Sequence, residues 1–181
     1  MRGRPMAALL GGGVSLLLVA VLAAVVLSTP VSGDGMHPTL RSGNRVLSFG
    51  GTPERLDLVT LRTRGNTTVV RRVLGLPGDE VRITGGEVRV RPASGEWLGT
   101  SPDGDPGVCC AADGRGGTDA VAVVPPGSFF VLGDNPTMST DSREYGFVPA
   151  GDVTGVVWRR TWPLPEFGDV DPPVLTAVSG P

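Results

Sequence analysis

The stretch Val81-Arg82-Ile83-Thr84-Gly85-Gly86-Glu87-Val88-Arg89-Val90 decides the fold class. Apolar and polar residues alternate on both sides of a Gly-Gly pair. A period of two sends alternate side chains to opposite faces of a strand, and glycines supply the positive φ of a tight hairpin turn. Working outward, Arg45 to Phe49, Asp57 to Arg62 and Thr67 to Leu74 are predicted strands. Val121 to Val124 and Phe129 to Leu132 flank the turn Pro125-Pro126-Gly127, and Val153 to Trp158 is a last strand. No window after residue 28 sustains helical periodicity over a dozen residues. The 28 glycines and 17 prolines make about a quarter of the 181 residues, which also argues against a helix bundle. The expected fold is mainly β. Residues 92–119, rich in Gly, Asp and Pro, are expected to be a loop insertion, and the Pro-rich tail 163–181 to be disordered.

All 16 basic residues of the Lys+Arg count are arginines. The absence of lysine removes every mechanism that needs a lysine base, a Schiff base or a lysine-held phosphate. The formal charge of −2 and the lack of a basic stripe argue against a nucleic-acid partner. One His and two Cys cannot supply the four ligands of an ordinary zinc site, and nothing in the pattern implies another metal or a cofactor. Cys109 and Cys110 are neighbours. A bond between them would close a strained ring, so intermolecular pairing and free thiols are the alternatives.

Residues 6–27 contain no charged residue. As a helix they would span roughly 33 Å, about the thickness of the hydrocarbon core of a bilayer. The stretch is longer than the apolar region of a cleaved signal peptide, so an uncleaved anchor is expected. Arg2 and Arg4 precede it and no basic residue follows until Arg41. The positive-inside rule then places residues 1–5 in the cytoplasm and the domain 28–162 on the extracytoplasmic side, as a single-pass type II protein of the cell membrane in contact with lipid through residues 6–27.

Three segments follow the anchor in order. The first is Ser32-Gly-Asp-Gly-Met-His-Pro-Thr-Leu40, with Gly43-Asn-Arg-Val-Leu47 behind it. The second is Val70-Arg-Arg-Val-Leu-Gly-Leu-Pro-Gly-Asp79. The third is Leu132-Gly-Asp-Asn135 with Ser139-Thr-Asp-Ser-Arg143 and Gly146-Phe-Val-Pro149. Together they resemble the bacterial type I signal peptidases, membrane-anchored serine endopeptidases that remove signal peptides from exported precursors. The resemblance covers nearly the whole chain. It implies a largely antiparallel β fold, signal peptides or exported precursors as partners, and a Ser/Lys catalytic dyad.

The dyad is where this chain departs from the family. The Gly-x-Ser-Met-x-Pro pattern that carries the nucleophile reads Gly33-Asp34-Gly35-Met36-His37-Pro38, so Gly35 stands at the nucleophile position. The Lys-Arg-Val that carries the general base reads Arg71-Arg72-Val73, so Arg71 stands at the base position. Glycine has no side chain to acylate. A lysine serves as base because burial lowers its pKa, whereas arginine keeps its proton and offers donors only. Loss of either group in a serine protease costs roughly 10⁶ in rate, and the two losses do not add. Gly33 replaces a serine hydroxyl that helps some members hold the oxyanion, leaving the Gly35 amide as a donor.

The supporting frame is retained by resemblance: Ser139 beside the base, Asp141 with Arg143 as a bracing ion pair, Ser142 between them, and Met36 lining the substrate groove. Pro38 and Pro77 fix turns, and Gly75, Gly78 and Gly133 are expected at unusual φ. The resulting expectation is a family member without Ser/Lys chemistry that binds peptide or assists an active paralogue. Two other readings are an active peptidase with a displaced nucleophile, drawn from Ser32, Thr39 or Ser142 with His37, and a membrane-tethered structural β domain. On an extended segment Ser32 would face away from Gly35 and His37 would share its face.

Overall fold

The computed structural model describes residues 15, 19, 21–24, 26–63, 65–84, 87–99, 121–170 and 176–177. Its described strands form two antiparallel sheets. The larger runs in the order β1 (Thr29–Pro30), β2 (Arg45–Phe49), β11 (Val153–Trp162), β3 (Leu58–Arg62), β4 (Thr68–Gly75), β9 (Ser128–Leu132) and β10 (Val148–Pro149). The smaller runs β12 (Thr176–Ala177), β7 (Leu98–Gly99), β6 (Glu87–Arg91), β5 (Glu80–Thr84) and β8 (Val121–Val123). The mainly β expectation holds, and the Val81–Val90 hairpin pairs Val81 with Val90 and Ile83 with Val88.

The alternation of apolar residues explains where the core sits. Val81, Ile83, Val88 and Val90 of the small sheet, with Val124 just after β8, pack against Leu74, Phe130 and Leu132 of the large one. The large sheet buries both faces. On one, Val59, Leu61, Val73, Phe129, Val131 and Val148 cluster; on the other, Met36, Leu40, Val46, Leu58 and Val70 do. Strand β4 thus supplies both clusters, and its consecutive residues Arg71 and Arg72 point to opposite faces.

Two elements differ from the sequence expectation. Leu98–Gly99 lies inside the expected loop insertion yet pairs with β6, beside Trp97, which is buried and sits under the Arg91 guanidinium. Residues 100–119 of the expected insertion, with Cys109 and Cys110, lie outside the described residues. The expected disordered tail folds back over residues 163–170: a 3-10 turn at Leu164–Glu166 leads to Gly168, which exchanges two backbone hydrogen bonds with Arg160. Only a two-residue strand, Thr176–Ala177, is described beyond it. Of the expected anchor 6–27, residues 15, 19, 21–24, 26 and 27 are described and helical. No described helix is long and apolar enough to cross a membrane.

Gly78 has the expected positive φ of 89°. Gly75 does not; it is needed for close packing instead. A Cβ there would stand 2.9 Å from Cβ of Phe130 and 3.1 Å from Cγ2 of Val124, at the seam of the two sheets. Gly75→Ala is expected to cost about 1–3 kcal/mol by overpacking, seen as a lower urea midpoint at unchanged slope. An unchanged midpoint would mean that this seam is loosely packed.

Candidate active site

The site is assembled by the loop that runs from the end of β9 to the single helical turn Ser142–Tyr145. Asp141 is its hub. The carboxylate, 1% exposed, accepts from the Gly133 amide at 2.9 Å, the Ser139 hydroxyl at 2.5 Å and the Arg143 amide at 3.1 Å. The Arg143 guanidinium adds Nε at 2.9 Å and Nη2 at 2.7 Å, and the same Nη2 donates to Ser139 Oγ at 3.0 Å. Asp141 also caps the helical turn, the ordinary use of an aspartate at that position. Ser142 is fully buried, and its Oγ accepts from the Val131 amide at 2.9 Å, which pins the turn to β9. Ser139, Asp141 and Arg143 therefore form one hydrogen-bonded frame, and the enclosed Ser142 ties it to β9.

Gly35 is buried against this frame. A Cβ on it would lie 3.1 Å from Ser139 Cβ and 3.3 Å from the Met138 carbonyl oxygen. Its own carbonyl accepts from the Asn135 amide at 3.0 Å. Gly133 is tighter still. A Cβ there would come within 2.3 Å of Ser139 Cβ and 2.4 Å of the Gly35 carbonyl oxygen, so the expectation of an unusual φ gives way to one of sheer proximity. The flanking Gly33 has φ of 76° and open space around it.

The segment between Gly33 and Leu40 is turned rather than extended. The His37 amide donates to Asp34 and the Leu40 amide to Met36. Gly-Asp-Gly followed by Pro38 favours such turns. The alternation argument that set Ser32 and His37 on opposite faces therefore does not apply. His37 is exposed, and no hydroxyl among the described residues is hydrogen-bonded to its ring. Met36 is 2% exposed and packs in the core with Leu40, Val46 and Val70.

Arg71 reaches the other side of the same loop. Its Nε and Nη2 donate to the Thr140 carbonyl at 3.1 and 2.8 Å, and Nη1 donates to its own neighbour Val70 at 2.6 Å. The two positions that the resemblance assigns to nucleophile and base thus flank one short segment: Gly35 lies against Met138 and Ser139, and Arg71 holds Thr140. The recorded partners of Ser139 are Asp141 and Arg143, not Arg71.

Sequence reasoning did not single out Arg72 and Asp134. They form a two-pronged ion pair, Nε to Oδ1 at 2.8 Å and Nη2 to Oδ2 at 2.6 Å, with side chains 3% and 9% exposed, and Arg72 Nη1 also binds the Leu56 carbonyl at 2.8 Å. Removing one partner of such a pair strands a buried charge, at a cost of about 3–5 kcal/mol. The signal was present: two adjacent arginines in an apolar strand cannot both reach solvent, so one needs a carboxylate.

An antiparallel β protein with a Ser-Asp-Arg frame braced under a glycine turn is a defined class, and the comparisons name it. The signal peptidase, peptidase S26, family model matches residues 7–162. Signal peptidase I of Bacillus caldolyticus is 35% identical over 170 residues, covering 85% of this chain and 90% of that protein. Signal peptidase IB of Staphylococcus aureus is 31% identical over 156 residues, covering 79% and 81%. A crystal structure of a signal peptidase I from Enterococcus faecalis matches with a TM-score of 0.46 at 28% identity, over 60% of this chain and 98% of that one. The chain belongs to the signal peptidase family.

Tyr145, the only tyrosine of the chain, stands beside Arg71. Burial pushes its phenol up to about 12, with Asp141 and Glu144 adding and Arg71 opposing. A raised folded-state value means that the folded chain holds the proton more tightly. That contribution to stability is full below about pH 10, the unfolded value, and is lost as pH rises through about 12. Phenolate absorbance of the folded chain should therefore show one transition centred near 12. A midpoint near 10 while circular dichroism still reports the fold would contradict the placement of this ring.

Proposed function

We propose that this chain is a signal peptidase homologue that has lost Ser/Lys chemistry and acts on exported precursors and their signal peptides by binding rather than cleaving them, alone or beside an active paralogue. One observation carries the reading. The frame of Ser139, Asp141 and Arg143 is complete, while the two reacting positions that flank it hold a glycine and an arginine committed to a backbone carbonyl. A frame without reacting groups can still order an extended peptide by strand addition, because main-chain hydrogen bonding needs no nucleophile.

The reading includes attachment to the cell membrane by residues 6–27 with the β domain on the extracytoplasmic side. It is supported by the apolar residues Val19, Leu22, Val26 and Leu27, which are 61–74% exposed and would meet lipid rather than water. β1 begins at Thr29, immediately after this helical stretch.

The test uses the full chain in detergent with a precursor carrying an Ala-x-Ala cleavage site. The expected result is binding without product, even at long times. The expected deficit is about 10⁶ relative to a Ser/Lys enzyme. Turnover that survives removal of contaminating proteases, and that is lost on substituting Ser32, Ser139 or His37, would overturn the reading in favour of displaced chemistry.

A further inference from the structure

The face of β4 that carries Arg71 also carries Val69, and β3 places Leu61 directly opposite Val69. With Phe147 and Val148 these residues wall a cavity of about 350 Å³. Leu61 and Val148 are 3% and 6% exposed, so the apolar side chains form its floor. Arg71 and Tyr145 line it nearer to solvent. Size and composition suit a small ligand: mostly apolar walls with a few convergent polar groups.

The polar end has capacity to spare. A guanidinium has five N–H groups. Arg71 directs three donor contacts at the Thr140 and Val70 carbonyls and shares a side-chain hydrogen bond with Tyr145, leaving one N–H for a ligand. The Tyr145 hydroxyl keeps its proton throughout the physiological range and is a second donor beside it. The other charged side chains of the lining are Arg62 and Asp152, both exposed. Two arginines against one aspartate favour an anion over a cation. Arginine matches a carboxylate in shape, and a lysine at the same position would present only a point charge.

We propose that this cavity binds an amphipathic monocarboxylate, with the carboxylate on the Arg71 guanidinium and the Tyr145 hydroxyl and a short apolar chain on Leu61, Val69, Phe147 and Val148. A short fatty acid and the free C-terminus of an apolar peptide share this chemistry. The site stands on its own geometry and does not depend on whether the chain cleaves precursors.

The test is calorimetric titration of the full chain in lipid nanodiscs with hexanoate, hexanol, and acetyl-Ala-Leu-Ala as free acid and as C-terminal amide. The carboxylates should bind and their uncharged counterparts should bind at least about tenfold more weakly, since a hydrogen bond to a charged group is lost. A tighter free-acid peptide would make a peptide C-terminus the source, and tighter hexanoate a fatty acid. Arg71→Gln should weaken the carboxylates to the level of the uncharged probes, and Val69→Phe, which fills the cavity, should weaken both kinds. On the unmodified chain, methyl resonances of Leu61, Val69 and Val148 should move with hexanoate. No carboxylate binding at millimolar concentration would overturn the proposal. So would equal affinity for hexanol, or methyl shifts confined to other parts of the chain.

Discussion

The buried carboxylate of Asp141 is the constraint on which the site depends. It gathers donors from Gly133, Ser139 and Arg143, three points spread over eleven residues of loop, into one place that water does not reach. That closure sets Ser139 against Gly35 and turns the Thr140 carbonyl towards Arg71. Two glycines make it sterically feasible. At Gly133 any side chain would strike Ser139, and at Gly35 the space left for a Cβ is a few tenths of an ångström short of ordinary contact. The Arg72–Asp134 pair fastens the adjoining turn to β4 from the opposite face. Frame and scaffold are thus joined on both sides of one strand.

On the proposed reading, this arrangement lets a family member lose its reacting groups and keep its shape. A lysine at position 71 would have to be stripped of water to serve as a base. The arginine instead spends its donors on backbone carbonyls, where its permanent charge is useful rather than chemically idle. On that reading the Ser139–Asp141–Arg143 network has no hydroxyl at position 35 to activate, yet its hydrogen bonds persist because they satisfy one another. The Arg71 guanidinium also lines an apolar cavity, which is the basis of the proposed carboxylate site.

Most of the fold was legible because the deciding signal, period-two alternation broken by Gly and Pro, is local. Arg45–Phe49 matches its expected strand, and the hairpin around Gly85-Gly86 falls in register. Strand β11 was expected to stop at Trp158 but continues to Trp162. Arg159 and Arg160 hide its end, and shifts in register against β2 on either side of them break the alternation. Leu98–Gly99 and the folded-back residues 163–170 are held by partners distant in sequence, and two-residue strands carry no periodic signature. At the site, the frame residues could be named from the resemblance alone. The turn at residues 34–40 and the burial of Met36 could not, because they depend on what packs above them. Gly75 and Gly133 were sought for their backbone angles and proved to matter for proximity, a distinction that only neighbours in space reveal.

The central claim, a preserved frame lacking only its reacting groups, is tested most directly by restoring them. The rate of precursor cleavage should be measured from about pH 7 to 11 for Gly35→Ser, Arg71→Lys and the double variant. Gly35 is outside the left-handed region, so the serine meets no backbone strain, but Ser139 and Met138 must yield slightly to admit its Cβ. The account predicts that the double variant alone cleaves. If the pocket shaped by the guanidinium leaves the amine hydrated, its activity should rise towards alkaline pH, as the lysine loses its proton. A double variant that folds and yet stays inactive over the whole range, or a single variant that cleaves as well as the double, would contradict it.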